Sequence, residues 1–148
     1  MNNNIEKHIE EICLRANRAS KSLFHASSES KNQALKLIAK QINKDKNIIL
    51  KANSLDITSA KKNNVSEALL DRLYLDESRI EDMIQGLNNI VLLDDPIGSE
   101  IKNWTPKNGI NMSQTRVPIG VIGIIYESRP NVTADASALA LKSGNSII

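Results

Sequence analysis

The sequence predicts an α/β fold in which N-terminal helices lead through a β-hairpin into the start of a parallel sheet. Apolar residues recur at helical spacing up to residue 93. Turn residues then separate two short segments of strand-like composition. The last third combines an apolar run, a polar loop, a segment rich in Ala and Ser, a glycine and new apolar residues. This order is typical of a βαβ unit.

Helical periodicity is clearest in the first segment, where apolar residues recur in alternating steps of three and four. The apolar face consists of Ile5, Ile9, Ile12, Ala16, Ala19 and Leu23. Capping and apolar spacing predict further helices after Ser27 or Ser28, from Asp45 to Leu55, at Thr58–Lys62 and Glu67–Leu73, and from an Asp76 cap to Leu93. Pro96 cannot continue the last of these helices, so the helical region ends there.

A hairpin is predicted next, with antiparallel strands at Glu100–Trp104 and Ile110–Val117. Pro106 and Gly109 mark the turn between the two strands. An isolated hairpin is only marginally stable in water. We therefore expect it to pair with another sheet, formed either by later sequence or by another subunit.

The run Ile119–Tyr126 is apolar on both faces, which predicts a central parallel strand covered on two sides. Within it, Gly120 and Gly123 allow a helix or a ligand to approach the backbone closely. A helix is expected over 132–142, with Gly144 as the residue that ends it. Residues 145–148 then begin the next strand, so the sheet is expected to be truncated where the chain stops.

Composition and charge narrow the class of protein. Hydrophobic residues make up 41% of the chain and charged residues 24%, as in ordinary globular proteins. The net charge is +2 and basic residues are not clustered, so we expect no nucleic-acid partner. No apolar run has the length of a membrane span, and the polar N-terminus has no signal-peptide pattern. A single cysteine excludes an internal disulfide and favours a cytoplasmic location.

The strongest functional signal is the loop Glu127-Ser128-Arg129-Pro130-Asn131, placed between a strand and a helix. Ligands of α/β folds bind at such strand ends. A guanidinium can hold a phosphate or carboxylate through two parallel hydrogen bonds, and a helix N-terminus favours an anion. The same residues also fit a simple capped helix, with Asn131 as the N-cap and Arg129 solvated. Spacing alone leaves both interpretations open.

Other candidate sites are weaker. The pair Gly120 and Gly123 lies within the strand and lacks the spacing of a dinucleotide fingerprint. Cys13 lies beside the apolar face of the first helix, so we expect a buried small residue rather than a nucleophile. His8 and His25 have no acidic or thiol partner at ligand spacing, and we assign no metal site.

The segment GVIGIIYESRPNVTADASALALKSGN resembles the gamma-glutamyl phosphate reductases, a branch of the aldehyde dehydrogenase superfamily. The segments YESRPNVT and ALALKSGN carry the family signature, and WTPKNGINMSQTRVPIGVIGIIYESRP and DDPIGSEI are similar to the sequence before it. The helical segment KANSLDITSAKKN also resembles the family. The resemblance implies a Rossmann-like parallel sheet of the aldehyde dehydrogenase type, truncated in this chain.

The resemblance also implies an activity. Family members are oxidoreductases that use NADPH to reduce L-glutamyl 5-phosphate to L-glutamate 5-semialdehyde and phosphate, the second step of proline biosynthesis from glutamate. A cysteine thiolate attacks the acyl carbon, and the resulting thioester accepts hydride. That cysteine is expected downstream of this chain, so no catalytic residue is assigned here and the chain alone is expected to be inactive. The residues Ser128, Arg129 and Asn131 are the candidates for substrate or cofactor contacts.

In this interpretation residues 1–96 are the helical part of the cofactor-binding domain, 97–117 an oligomerisation arm, and 118–148 the first βα unit of the nucleotide-binding sheet. The catalytic domain is absent from the chain, and the complete enzyme is expected to be a homo-oligomer. Two alternatives remain. The chain is a truncated remnant without catalysis, or it is an interaction module whose helices and hairpin bind a partner.

Overall fold

The computed structural model describes residues 2–148, with side chains from Asn4 onward. Six helices and four short strands occur in this part of the chain. In order they are α1 (Asn2–Phe24), α2 (Ser28–Lys44), α3 (Lys46–Lys62), α4 (Glu67–Leu73), α5 (Glu77–Leu92), β1 (Glu100–Trp104), β2 (Met112–Thr115), β3 (Val121–Ile122), α6 (Pro130–Lys142) and β4 (Ser146–Ile147). The mixed α/β class predicted from the sequence is confirmed.

The chain forms two compact units. Among the described residues, the first unit contains 2–31, Leu93–Ile124 and Ala140–Ile148, and the second contains Asn32–Leu92 and Ile125–Leu139. In the first unit α1 packs against β3 and β4. In the second unit α3 packs against α4 and α5. The buried apolar residues of the second unit are Leu35, Ala39, Leu75, Ile80, Met83, Ile84, Leu87 and Ala138.

Local capping places several helix ends where the sequence predicts them. The backbone N–H of Ser30 donates to the Oγ atom of Ser27, which identifies Ser27 as the cap of α2. The N–H of Arg79 donates to Asp76 Oδ1 at 2.8 Å, so Asp76 caps α5 as predicted.

In contrast, α3 continues unbroken to Lys62, and the predicted break after Leu55 is wrong. No proline or glycine lies in that stretch to interrupt the helix.

The predicted hairpin is confirmed, but its second strand covers Met112–Thr115 and is shorter than the predicted Ile110–Val117. Strands β1 and β2 pair antiparallel, with Trp104 opposite Met112, and an irregularity occurs between Glu100 and Lys102. The N–H of Gly109 donates to the carbonyl of Pro106 at 3.0 Å and closes a turn within the connection. Every residue of both strands is exposed.

The parallel pairing of β3 with β4 confirms the predicted βαβ order, with α6 between the two strands in sequence. The predicted extent of the first strand is wrong, because only Val121–Ile122 form it and Ile119 and Ile125 are largely exposed. Gly120 has a φ of +118°, outside the strand region, which limits the strand at its start. Within the described chain, β4 is the one strand that pairs with β3, so side chains flanking β3 are not covered on both faces.

Two polar contacts hold this parallel pair in the first unit. The hydroxyl of Ser146 donates to the carbonyl of Ala16 at 2.8 Å and joins β4 to α1. The N–H of Gly120 donates to Asn145 Oδ1 at 2.8 Å, just before β3 begins.

Gly144 ends α6 with a φ of +70°, as predicted. The N–H of Gly144 bonds to the carbonyl of Leu141 and the N–H of Asn145 to that of Ala140, which is a Schellman motif.

The expected burial of the first helix is only partly observed. Ala16 is buried, but Ile5 and Ile9 of the same predicted face are exposed. The expectation that Cys13 is a buried small residue is wrong, because its thiol is exposed. Ile5 and Ile9 are exposed as well, so among the described residues little covers this part of α1. No described helix combines the length and hydropathy that crossing a bilayer requires.

Candidate active site

The loop between β3 and α6 has an unusual backbone conformation at one predicted site residue. Ser128 is half-buried and has a φ of +49°, in the left-handed region that non-glycine residues rarely adopt. Such conformations cost free energy and cluster at binding and catalytic sites. Ser128 therefore marks this loop as a candidate functional segment of the second unit.

Helix α6 begins at Pro130, two residues before the predicted start. Proline suits the first helical position because its fixed φ is helical and it has no N–H to satisfy. Asn131 is therefore inside the first turn, and its predicted role as the N-cap is wrong. Its amide Nδ2 instead donates to Asp135 Oδ2 at 3.1 Å, one turn along the helix. In the described part of the chain, no side chain caps the N–H of Asn131.

A second contact anchors the chain just before the loop. The hydroxyls of Tyr126 and Thr133 lie 2.5 Å apart and share a hydrogen bond. The N–H of Val132 donates to the carbonyl of Arg129 at 3.1 Å. Both contacts join the loop to the first turn of α6 and hold the backbone near Arg129.

Two of the three predicted site residues, Arg129 and Asn131, line one cavity of the second unit. Its volume is about 390 Å³, within the range of small-molecule sites. Ser128 is not among the lining residues. The full lining is Arg72, Tyr74, Leu75, Arg79, Asp82, Met83, Arg129, Pro130, Asn131 and Asp135. Charged residues of both signs therefore surround a space of ligand size.

One of the three arginines is committed to the fold. Arg79 forms an ion pair with Asp71 at 2.8 Å and donates to the backbone carbonyls of Asp71 and Tyr74. Its guanidinium also lies 5.6 Å from the centre of the Tyr74 ring. These carbonyls come from the end of α4, so Arg79 caps that helix from the first turn of α5.

The other two arginines are available to a ligand. Among the described residues, neither Arg72 nor Arg129 has a side-chain hydrogen bond or ion pair. Asp82 likewise has no ion pair there, although it lies one helical turn after Arg79, which bonds to Asp71 instead. Three lining residues are thus without an ion pair among the described residues: Arg72 and Arg129, which carry guanidinium groups, and Asp82, which carries a carboxylate.

A buried asparagine positions the segment that carries Arg72 and Tyr74. The Nδ2 atom of Asn53 donates to the carbonyl of Leu73 at 2.7 Å, and the N–H of Leu75 donates to Asn53 Oδ1 at 2.8 Å. Asn53 is 5% exposed. Both bonds tie α3 to the chain between α4 and α5, and so hold one side of the cavity.

Sequence reasoning missed Arg72, Arg79 and Asp82 as neighbours of the loop. They lie far from Arg129 in sequence, and helical periodicity assigns them only to exposed helix faces. The thiol of Cys13 and the imidazoles of His8 and His25 do not line the cavity. Among the described residues, no three His, Cys, Asp or Glu side chains form a possible metal site.

No protein-family model matches the chain. The sequence is 51% identical over 133 residues to the gamma-glutamyl phosphate reductase of Clostridium kluyveri, covering 90% of this chain and 32% of that protein. It is 46% identical over 145 residues to the reductase of Clostridium novyi, covering 98% of this chain and 35% of the relative. The chain therefore spans about a third of the length of the curated relatives that it matches.

Solved structures give the same result. The crystal structure of gamma-glutamyl phosphate reductase from Thermotoga maritima matches with a TM-score of 0.89 and 43% identity, over 93% of this chain and 33% of that chain. The Saccharomyces cerevisiae reductase matches with a TM-score of 0.89 and 33% identity, over 93% of this chain and 35% of that chain. The fold described above is thus that of the N-terminal region of these proteins.

Proposed function

This chain belongs, over the region that it spans, to the gamma-glutamyl phosphate reductase family, and we propose that it contributes to the reduction of L-glutamyl 5-phosphate. The proposed overall reaction consumes NADPH and a proton and yields L-glutamate 5-semialdehyde, phosphate and NADP⁺. This reaction is the second step of proline biosynthesis from glutamate. The observation that carries the proposal is the match to reductases across the whole segment that holds Arg129 and Asn131.

Arg129 is the residue we assign to the phosphate. Arg129 lines the cavity and its guanidinium has no partner within the described chain, so binding an anion breaks no existing ion pair. The N-terminus of α6 lies next to it in sequence and adds a partial positive charge. Asn131 contributes a side-chain amide at the same cavity, and Ser128 holds the loop in its left-handed turn. These roles favour tight binding of an acyl phosphate.

The cofactor assignment is also a proposal. NADPH, when bound, supplies the hydride that reduces the acyl group. The chain's own residues fit a phosphate-bearing cofactor, because a parallel βαβ order leads to a helix N-terminus, whose free N–H groups favour an anion. They do not form the glycine turn of the usual dinucleotide fingerprint. Any contribution of these residues is therefore to hold a phosphate group.

We further propose that the nucleophilic thiol is not Cys13. The Cys13 thiol is exposed on α1 and does not line the cavity with Arg129. The 148 residues by themselves are therefore expected to show no reductase activity, as a catalytically silent remnant would also show. Turnover by the isolated 148-residue chain would contradict this part of the proposal.

The hairpin suits an oligomerisation arm, and we propose this role for residues 97–117. Strands β1 and β2 are exposed along their length and present Ile101 and Met112 to solvent. Exposed strands with apolar side chains readily add to another sheet. We assign residues 1–96 and 118–148 to the cofactor-binding domain, and propose a cytoplasmic homo-oligomer. Replacing Ile101 by Lys should lower the mass measured by sedimentation, whereas an unchanged mass removes this role from the hairpin.

The decisive experiment is an assay on the protein isolated from its own source, with its intact mass measured first. If that mass exceeds the mass of the 148 residues, oxidation of NADPH that depends on L-glutamyl 5-phosphate is the expected result. Arg129→Ala should lower kcat/KM about 10- to 100-fold, the loss expected for a charge-assisted contact. Arg18→Ala, an exposed arginine on α1, serves as the matched control. Absence of NADPH oxidation by a wild-type protein of that larger mass overturns the proposed function.

A further inference from the structure

The charged residues around the cavity include a carboxylate, which a site for a phosphate alone does not need. Arg72, Asp82 and Arg129 come from three separate segments, namely the last turn of α4, the body of α5 and the loop before α6. All three are without ion-pair partners among the described residues. A site for phosphate alone has no use for the carboxylate of Asp82, which would repel the anion.

A ligand that carries both signs of charge resolves this conflict. An α-amino acid head group has an ammonium, which needs acceptors, and a carboxylate, which needs donors. We propose that this cavity binds such a head group, with Arg72 on the α-carboxylate and Asp82 on the ammonium. The inference rests on the proposed function, since it gives the glutamyl part of the same substrate its binding residues. Arg129 then remains for the acyl phosphate.

The remaining charged residues do not compete for these roles. Arg79 is held by Asp71 and by two carbonyls at the end of α4, so its guanidinium is already saturated in part. Asp135 accepts a hydrogen bond from Asn131. Among the described residues, the charged lining residues without a side-chain partner are therefore Arg72, Arg129 and Asp82, two cationic groups and one anionic group, the complement of a ligand with two anionic groups and one cationic group.

Anchoring in the fold favours a defined position for Arg72. The carbonyl of Leu73 and the N–H of Leu75, on either side of Tyr74, are both held by the buried side chain of Asn53. Arg72 immediately precedes this anchored stretch. A guanidinium on a fixed backbone loses less freedom on binding than one on a mobile loop, which favours recognition of a small carboxylate.

Ligands that lack one charged group test each assignment separately. The probes are L-glutamate, glutarate, which lacks the ammonium, and 4-aminobutyrate, which lacks the α-carboxylate, each titrated into the 148-residue chain and followed by NMR chemical shifts. In these probes the second carboxylate stands in for the acyl phosphate. Wild-type protein is expected to bind L-glutamate more tightly than either truncated ligand.

The variants should respond selectively. Arg72→Ala should weaken L-glutamate about 10-fold or more and leave 4-aminobutyrate unchanged, because that ligand has no α-carboxylate to lose. Asp82→Asn should weaken L-glutamate by a similar factor and leave glutarate unchanged. Arg18→Ala and Asp56→Asn, exposed on α1 and α3, are the matched controls and should alter nothing. Arg72→Lys should retain part of the affinity.

Two results overturn the inference. One is the absence of saturable L-glutamate binding by the wild-type chain. The other is a response to Arg72→Ala or Asp82→Asn that is absent or is equal for all three ligands, since an equal loss indicates a structural role. If Arg129→Ala lowers kcat/KM of the reductase as expected while the Arg72 and Asp82 variants keep L-glutamate affinity, this inference fails and the proposed function stands. If the variants lose affinity selectively but the wild-type enzyme catalyses no reduction, the proposed function fails and this inference stands.

Discussion

The ammonium of Lys31 lies 2.5 Å from the Oδ2 atom of Asp95 and forms a buried ion pair in the first unit. The side chain of Lys31 is 2% exposed and that of Asp95 13%. Asp95 also accepts hydrogen bonds from the hydroxyl of Ser28 and from the N–H of Ile97. The carboxylate therefore joins the first turn of α2 to the turn that follows α5, and its removal should affect stability.

Breaking this pair from the lysine side is the first prediction. Lys31→Met leaves Asp95 partly buried without its strongest partner, so we expect the free energy of unfolding to fall by about 2 to 3 kcal/mol. Urea denaturation measures the change. Lys36→Met, an exposed residue of the same helix, is the matched control and should be nearly neutral. Equal stability of Lys31→Met and wild type would show that the pair contributes nothing net.

The second prediction concerns the loss of stability at low pH. Burial raises the pKa of Asp95, but hydrogen bonds from Lys31, Ser28 and Ile97, with the charge of Lys31, outweigh burial and lower the pKa below its ordinary value of 3.8. The unfolded chain therefore takes up a proton at higher pH than the folded protein does. The stabilisation is fully present above the unfolded pKa and is lost as pH falls through the lowered folded pKa.

Thermal unfolding measured from neutral pH downwards checks this sign. Wild-type Tm should fall more steeply below about pH 4 than the Tm of Asp95→Asn, which has no carboxylate at that position to protonate. Asp94→Asn, at the exposed neighbouring residue, is the control and should keep the wild-type slope. Parallel profiles for wild type and Asp95→Asn would rule out Asp95 as a source of acid sensitivity.

The third prediction tests the anchor beneath the cavity. Asn53→Leu removes a donor and an acceptor and leaves the carbonyl of Leu73 and the N–H of Leu75 without their partner. We expect a loss of about 2 to 4 kcal/mol, since each unsatisfied buried group costs about 1 to 3 kcal/mol. Asn47→Leu, exposed on the same helix, is the matched control. A neutral Asn53→Leu variant would mean that the loop between α4 and α5 is held by other contacts.

The fourth prediction separates backbone strain from steric clash. A Cβ atom added at Gly144 would lie 2.9 Å from the Cγ atom of Pro118, at a position where φ is +70°. At Gly98, φ is +79° but nothing lies within 4 Å of the added atom. Gly98→Ala should therefore cost about 1 kcal/mol from backbone strain, and Gly144→Ala about 1 to 3 kcal/mol more. Equal costs in chemical denaturation would contradict the clash.

Local signals in the sequence predicted most of the secondary structure. The bounds of α4 and β1 are those expected, Asp76 caps α5, and Gly144 ends α6. Two of the errors arose where burial decides the outcome. The exposed thiol of Cys13 and the short strand β3 depend on what covers each face, and periodicity cannot supply that information.

In the candidate site, too, the sequence predicted only the residues that belong to a local pattern. Arg129 and Asn131 stood out because a guanidinium and an amide follow a strand and begin a helix, which is a local pattern. Arg72 and Asp82 carry no such pattern, because their chain neighbours indicate only exposed helical positions. Their relation to Arg129 became visible only when the lining of one cavity was known.

By itself the sequence determined the helical periodicity, the caps, the hairpin turn and the polar loop, because each depends on residues within one or two turns of each other. The tertiary structure alone decided that Lys31 is paired with Asp95 and that Arg72, Asp82 and Arg129 surround one space. The reason is physical. Burial and ion pairing depend on distances through space, which residues far apart along the chain acquire only when the elements between them have packed.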